Sequence, residues 1–254
     1  MLRDFSKEAF DIIIHAGQSN AEGCGLGPAG NPYAPNDTVF YLNSDMSITQ
    51  ATEAVHGNYI CSNFSLPFAR EYLRGGHLAE GRKLLILRTA VGGTGFLDNR
   101  WGMTDDLYLQ MMEMIRTALA LNSENRLVAL LWHQGETDAI LFAAHDQHYQ
   151  NLSGLIQSVR DTFAVPNLPF IAGDFVNEWK MKNIEICTPV LDAIRDLCHD
   201  CDSNGFVETS DLPSNNHEDY PKPADFFDDI HFSRQSLYHL GVRYYECWKK
   251  IVSA

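Results

Sequence analysis

The chain has 254 residues and a formal net charge of −14, with 45% hydrophobic and 20% charged residues. This length suits one α/β domain with a full core, and the acidic balance argues against nucleic acid as a partner, because phosphate binding needs a surplus of Lys and Arg. No apolar stretch reaches the ~18–20 residues of a membrane span, and six scattered cysteines in a chain of this size read as free thiols, not as a disulfide framework.

The first residues, 1–11, are charged and lack the apolar core of a secretion signal, which predicts a cytoplasmic protein; a secreted chain with its leader removed would look the same. An apolar run at 10–16 then ends in the turn His15-Ala16-Gly17-Gln18-Ser19-Asn20. Further apolar runs follow at 39–42, 84–91, 127–132, 169–174 and 205–208. Continuous rather than alternating hydrophobicity marks strands buried on both faces, as in a parallel sheet.

Helical periodicity covers 63–74, a segment that begins at Thr104 as N-cap and carries Leu107, Met111, Met114, Ile115 and Ala118, then 145–163 and 188–198. Ser233 is the expected cap of a last helix, with Leu237, Leu240, Tyr244, Trp248 and Ile251 on one face. Strands alternating with helices predict a three-layer α/β/α sandwich with a mostly parallel sheet, and no linker divides 1–254. Nothing in the sequence reads out an oligomeric state.

Ligands of open α/β sheets bind beyond the carboxyl ends of the strands. Three polar segments leave strand ends there: HAGQSN at 15–20, TAVGGTG at 89–95 and HQGETD at 133–138. A fourth, Asp225 to His231, precedes the last helix. Ser19 alone is an ordinary turn serine. It is not in a G-x-S-x-G elbow, because Ala21 follows Asn20. The glycines at 23, 25 and 27 do not form a dinucleotide fingerprint either, since Pro28, Pro32 and Pro35 deny them a helix.

Asp228 three residues before His231 can reach the imidazole Nδ1–H across one turn, which frees Nε2 to take a serine proton. The competing reading is a surface acidic loop that includes Asp225 and Asp229, with Asp229 off register and pointing away. Oxyanion donors are available in the backbone N–H groups of Ser19 and of the pair Gly92-Gly93, and in the Gln134 side-chain amide. Arg100 and Trp101, just past the GGTG loop, are candidates to line a sugar, with packing as the competing role for Trp101. Cys198 and Cys201 lack a second ligand pair at zinc spacing and read as incidental thiols. His15 reads as a core histidine, His145 and His148 as a solvated or packing face, and the methionines at 111, 112 and 114 as core. The irregular segment 203–229 is expected to rim the site and influence substrate choice.

As an ordered set, G-Q-S-N, G-G-T, H-Q-G-E and D-x-x-H resemble the SGNH-type hydrolases, and more closely the sialate O-acetylesterase and acetylxylan esterase group, carbohydrate esterase family six. The resemblance spans residues 10–248. It implies a flavodoxin-like fold and hydrolysis of O-acetyl esters on sugars without a cofactor or metal. It also implies Ser19 as nucleophile, His231 as base, Asp228 as its orienting acid, and Ser19, Gly93 and Gln134 as the oxyanion hole. Glu136 matches the glutamate of H-Q-G-E and is a possible support for, or partial replacement of, Asp228. Gln18 stands where the wider superfamily has aspartate; it and Asn20 are carried as substrate-lining candidates. The implied partner is an acetylated carbohydrate. Longer-chain SGNH-type esterases or thioesterases, and a catalytically silent sugar-binding relative, are the alternatives.

Overall fold

A computed structural model describes residues 4–217, 222 and 226–253. In chain order the elements begin with β1 (Ala9–Gly17), α1 (Ser19–Glu22), β2 (Val39–Leu42), β3 (Ile48–Gln50), β4 (Ala54–His56), β5 (Tyr59–Cys61) and α2 (Ser65–Arg74). There follow β6 (Arg82–Arg88), α3 (Asp106–Ala120), β7 (Arg126–His133), α4 (Glu136–Ile140) and α5 (His145–Thr162). The chain closes with β8 (Phe170–Gly173), α6 (Asn177–Lys182), α7 (Ile184–His199), β9 (Asn204–Val207) and α8 (Arg234–Ser253).

Seven strands form one sheet in the order β3-β2-β6-β1-β7-β8-β9, parallel except for the edge strand β3; β4 and β5 make a separate hairpin. Counting only β1, β6, β7, β8 and β9, the order is the flavodoxin-like 2-1-3-4-5, with β2 and β3 extending one edge. The chain reverses direction across the sheet at β1, and the carboxyl end of β1 is therefore the crevice where such folds bind ligands.

Alternate side chains of β1 explain the layers. Phe10, Ile12, Ile14 and Ala16 pack with α3, α5 and α7 on one face. Ile13 joins Leu84, Ile86, Leu131 and the apolar stripes of α2 and α8 on the other. Ser233 caps α8 as expected, its Oγ accepting the Ser236 N–H at 3.1 Å. Thr104 does not cap α3: the residue before that helix is Asp105, whose carboxylate instead accepts the Gly102 N–H at 2.8 Å. Among the described residues, no helix is long and apolar enough to cross a membrane.

One charge interrupts the buried face of β1. Asp11, fully buried, accepts from Tyr72 Oη at 2.6 Å, Arg82 Nε at 2.8 Å and Arg126 Nε at 2.7 Å, pinning β1, β6, β7 and α2 together at the end of the sheet opposite the site. Burial alone would raise its pKa, but Arg126, Tyr72 and Arg82 hold it below the usual carboxylate range. Removing a buried partner strands the others, at a cost of about 3 kcal/mol, an upper figure because Arg126 is half exposed. A carboxyl with a depressed folded pKa stabilises above its unfolded value and loses that contribution as pH falls through the folded one. Asp11→Ala should therefore lower the urea midpoint at pH 7 and narrow its gap to the parent chain in strong acid. An equal gap at both pH values would contradict this account.

Candidate active site

The site begins with a backbone constraint. Gly17 closes β1 at φ +127°, and a Cβ there would lie 2.1 Å from the His133 carbonyl oxygen of β7. Only glycine lets the two strand ends approach this closely. The Gln18 N–H then donates to that same carbonyl at 2.9 Å, and the chain turns at once into α1. Ser19 is the first residue of α1, so its N–H has no carbonyl behind it in the helix.

Ser19 Oγ lies 2.9 Å from His231 Nε2. On the other side of the ring, His231 Nδ1 lies 2.8 Å from Asp228 Oδ1, which also accepts the His231 backbone N–H at 3.2 Å. Asp228 is held in turn: its Oδ2 accepts from Asn215 Nδ2 at 2.8 Å, and its N–H donates to Asn216 Oδ1 at 2.7 Å. Asn215 also binds the chain leaving α1, through the Cys24 carbonyl and the Leu26 N–H. Asp229 turns away to Lys182 Nζ at 2.9 Å, while Asp225 lies outside the described residues.

Burial alone would lower the His231 pKa, but the hydrogen bond and charge of Asp228, with a further contribution from Glu136, raise it above the ordinary value. Burial pushes the Asp228 carboxyl up, and bonds from His231 and Asn215 pull it below the usual range. The pair thus favours an aspartate and an imidazole eager for a proton. A serine hydroxyl on Nε2 of such an imidazole is set up for deprotonation.

Facing Ser19 is the loop after β6. A side chain at Gly92 would come within 3.5 Å of Ser19 Cβ, and the Gly92 N–H is taken by Glu22 Oε2 at 2.7 Å. Gly93, exposed at φ +68°, has an N–H that donates to none of the described residues. The loop is braced from beneath. Asp138, fully buried, accepts the N–H groups of Phe96 and Leu97 at 2.9 and 2.8 Å, and Gln134 Nε2 at 2.8 Å. One N–H of the Gln134 amide is therefore committed to Asp138, leaving the other.

A family model described as carbohydrate esterase, sialic acid-specific acetylesterase, matches residues 9–250. The chain belongs to this family. A probable carbohydrate esterase of Arabidopsis thaliana is 25% identical over 143 residues, covering 54% of this chain and 53% of the relative. A probable 9-O-acetyl-N-acetylneuraminic acid deacetylase of Escherichia coli is 31% identical over 88 residues, covering 32% of this chain and 27% of the relative. The matches thus span about half, or less, of the curated relatives. The crystal structure of NanS superposes with a TM-score of 0.81 at 18% identity, covering 97% of this chain and 98% of that one. The Arabidopsis thaliana protein structure gives 0.71 at 20% identity over 94% and 97%.

Within this acetylesterase family frame, several sequence expectations need correction. Trp101 does not line the site: it is fully buried against Trp132, and its Nε1–H donates to Thr94 Oγ1 at 3.0 Å, so it braces the glycine loop. Arg100 Nε and Nη2 are both bound to Asp106, at 2.8 and 3.0 Å. Gln18, only 3% exposed, turns its Oε1 to the N–H groups of Gly135 and Thr137 at 3.4 and 3.2 Å. Asn20 is fully buried and ties together Glu136 Oε1, the Ile230 carbonyl and the Phe232 N–H, each at 3.0 Å. Asn20 spends its whole amide within the protein, whereas Arg100 Nη1 and Gln18 Nε2 take no part in these bonds. Glu136 does not touch His231; it is bound to Asn20, with Oε2 buried and unpartnered, and burial raises its pKa. In segment 203–229, the described residues Asn215 and Asn216 hold Asp228 from behind, a role that no local pattern signals.

Asn20→Ala strands the Phe232 N–H and a Glu136 oxygen, for about 2–3 kcal/mol. Because those bonds join α1 to the His231 loop, kcat on an aryl acetate should fall together with the melting temperature, with KM changing little. Unchanged kcat in a folded Asn20→Ala variant would contradict the assignment.

Proposed function

We propose that the chain removes O-acetyl groups from a carbohydrate, such as a sialic acid, a xylan fragment or a related sugar, through an acetyl-Ser19 intermediate. The observation that carries this reading is the contact of Ser19 Oγ with His231 Nε2 at 2.9 Å, continued to Asp228 at 2.8 Å. The sugar-ester part of the reading is supported by the family and by the relative named a probable 9-O-acetyl-N-acetylneuraminic acid deacetylase.

His231 takes the Ser19 proton at Nε2 as Oγ attacks the acetyl carbonyl. The developing oxyanion is met by the N–H groups of Ser19 and Gly93 and by the uncommitted N–H of Gln134. Asp228 holds the imidazole in the tautomer with its proton on Nδ1 and stabilises the imidazolium. The sugar oxygen departs with the proton from Nε2. Water then enters, loses its proton to His231 and releases acetate, restoring Ser19. Glu136 acts on His231 through space only.

Ser19→Ala should lower aryl acetate turnover by about 10⁴-fold or more and abolish labelling by a fluorophosphonate; activity within a few-fold of the parent would refute the nucleophile. The rate should also fall in acid as His231 is protonated. Because Asp228 and Glu136 raise its pKa, the half-maximal point of kcat/KM should lie above the ordinary histidine value of 6.5. A flat profile across about pH 5 to 8 would count against His231 as the base.

A further inference from the structure

Two charges on α6, Glu178 and Lys182, reach the segments on either side of Asp228. The helix that carries them has six residues and no stability of its own. It is fixed at the carboxyl end of β8 by Asp174, which is fully buried and accepts from Lys180 Nζ at 2.6 Å and from Arg195 Nη2 of α7 at 3.0 Å. Trp179, with its ring centre 5.8 Å from that of Phe175, buries the inner side of the same turn.

Glu178 gathers the segment before Asp228. Its Oε2 accepts from Ser214 Oγ at 2.6 Å and lies 3.0 Å from His217 Nε2, while Oε1 accepts from Asn216 Nδ2 at 3.3 Å and Lys182 Nζ at 3.0 Å. A carboxylate can only accept, so it draws the Nδ2 end of the Asn216 amide. The Oδ1 end is thereby left to the Asp228 N–H, at 2.7 Å. Burial pushes the Glu178 carboxyl up, but the bonds from Ser214, Lys182 and Asn216 hold it down at about 2, so the acceptor persists at neutral pH. Lys182 gathers the segment after. Its Nζ bonds Asp229 Oδ2 at 2.9 Å and lies 4.9 Å from the centre of the Phe227 ring. An exposed Glu–Lys pair one helical turn apart contributes little by itself; here the pair spends its remaining bonds on both neighbours of Asp228.

We propose that Glu178 and Lys182 are positioning residues for catalysis, which hold Asp228 at its 2.8 Å distance from His231 Nδ1 through the Asn216 amide on one side and through Phe227 and Asp229 on the other. The proposal rests on the reading of Ser19, His231 and Asp228 as the reacting triad. Neither α6 residue touches the reacting atoms, and each acts only through Asp228. With the grip released, Asp228 drifts and the imidazole loses both its orientation and its counter-charge. The loss then falls on kcat and leaves KM nearly unchanged.

The test is a double-mutant cycle on an aryl acetate, combining Glu178→Gln with Asp228→Asn and subtracting the Ser19→Ala rate. Alone, Glu178→Gln should lower kcat about tenfold with KM changed by less than about twofold. The acid limb of kcat/KM should also move to lower pH, because burial still lowers the His231 pKa while Asp228 raises it less. In the Asp228→Asn chain the same change should cost less than about twofold, since the residue through which it acts is already disabled. Lys182→Met should repeat this pattern at smaller size. Equal losses in the two backgrounds, parent-like kcat in Glu178→Gln, or a lowered kcat with an unmoved acid limb each overturn the proposal. Should Glu178→Gln fail to fold, Lys182→Met, at a half-exposed position, decides by the same criteria. An active native chain whose Asp228→Asn variant keeps full kcat also overturns the proposal while leaving Ser19 as nucleophile. A native chain inactive on the aryl acetate and on acetylated sugars brings down the esterase reading itself.

Discussion

The buried amide of Asn20 is the interaction on which the arrangement depends. It sits next to Ser19 in a four-residue helix too short to hold its own position. Its Nδ2 reaches Glu136 after β7 and the Ile230 carbonyl beside His231, and its Oδ1 receives the Phe232 N–H. Ser19 and His231 are 212 positions apart in the chain, yet the 2.9 Å contact between them is fixed by a neighbour on each side. Gly17 makes the same junction possible from below, by letting β1 press against the His133 carbonyl.

Around this junction the chain uses buried carboxylates as acceptors for loops. Asp138 gathers Phe96, Leu97 and Gln134, and Asp174 accepts the Phe175 N–H while pairing with Lys180 and Arg195. Each is strongly satisfied, as burial of a charge requires. Glu136 differs, with one oxygen buried and unpartnered. It can remain charged only at a cost, and its field reaches His231 without a bond. The site therefore combines a rigid floor of satisfied acids with a Ser19–His231 edge that meets solvent.

Much of this was legible in the residues because burial on both faces of a parallel strand leaves an unbroken apolar run. The run at 39–42 coincides with β2, and those at 10–16 and 127–132 lie inside β1 and β7 with one extra residue at each end. The strands β3, β4 and β5 escaped notice, being three residues each and largely exposed or polar. Helices α1, α4 and α6 are too short to show a period. Among site residues, the pairing of Asp228 with His231 was readable because it is local. The fates of Gln18, Asn20 and Trp101 were not, because each is decided by partners from distant segments: Gly135 and Thr137, Phe232 and Glu136, Trp132. Asn215 carried no signal at all, since its importance is a contact with a carboxylate thirteen positions later.

The central claim is that Ser19 carries the acetyl group between sugar and water. It is tested most directly by acid-quenching the native chain during pre-steady-state turnover of an activated aryl acetate and mapping the acetyl group by peptide mass spectrometry. The account predicts a burst of phenol matched by acetyl on the peptide that contains Ser19, approaching one group per chain. Acetyl on a different side chain, or a full burst with no acetylated peptide, would contradict it.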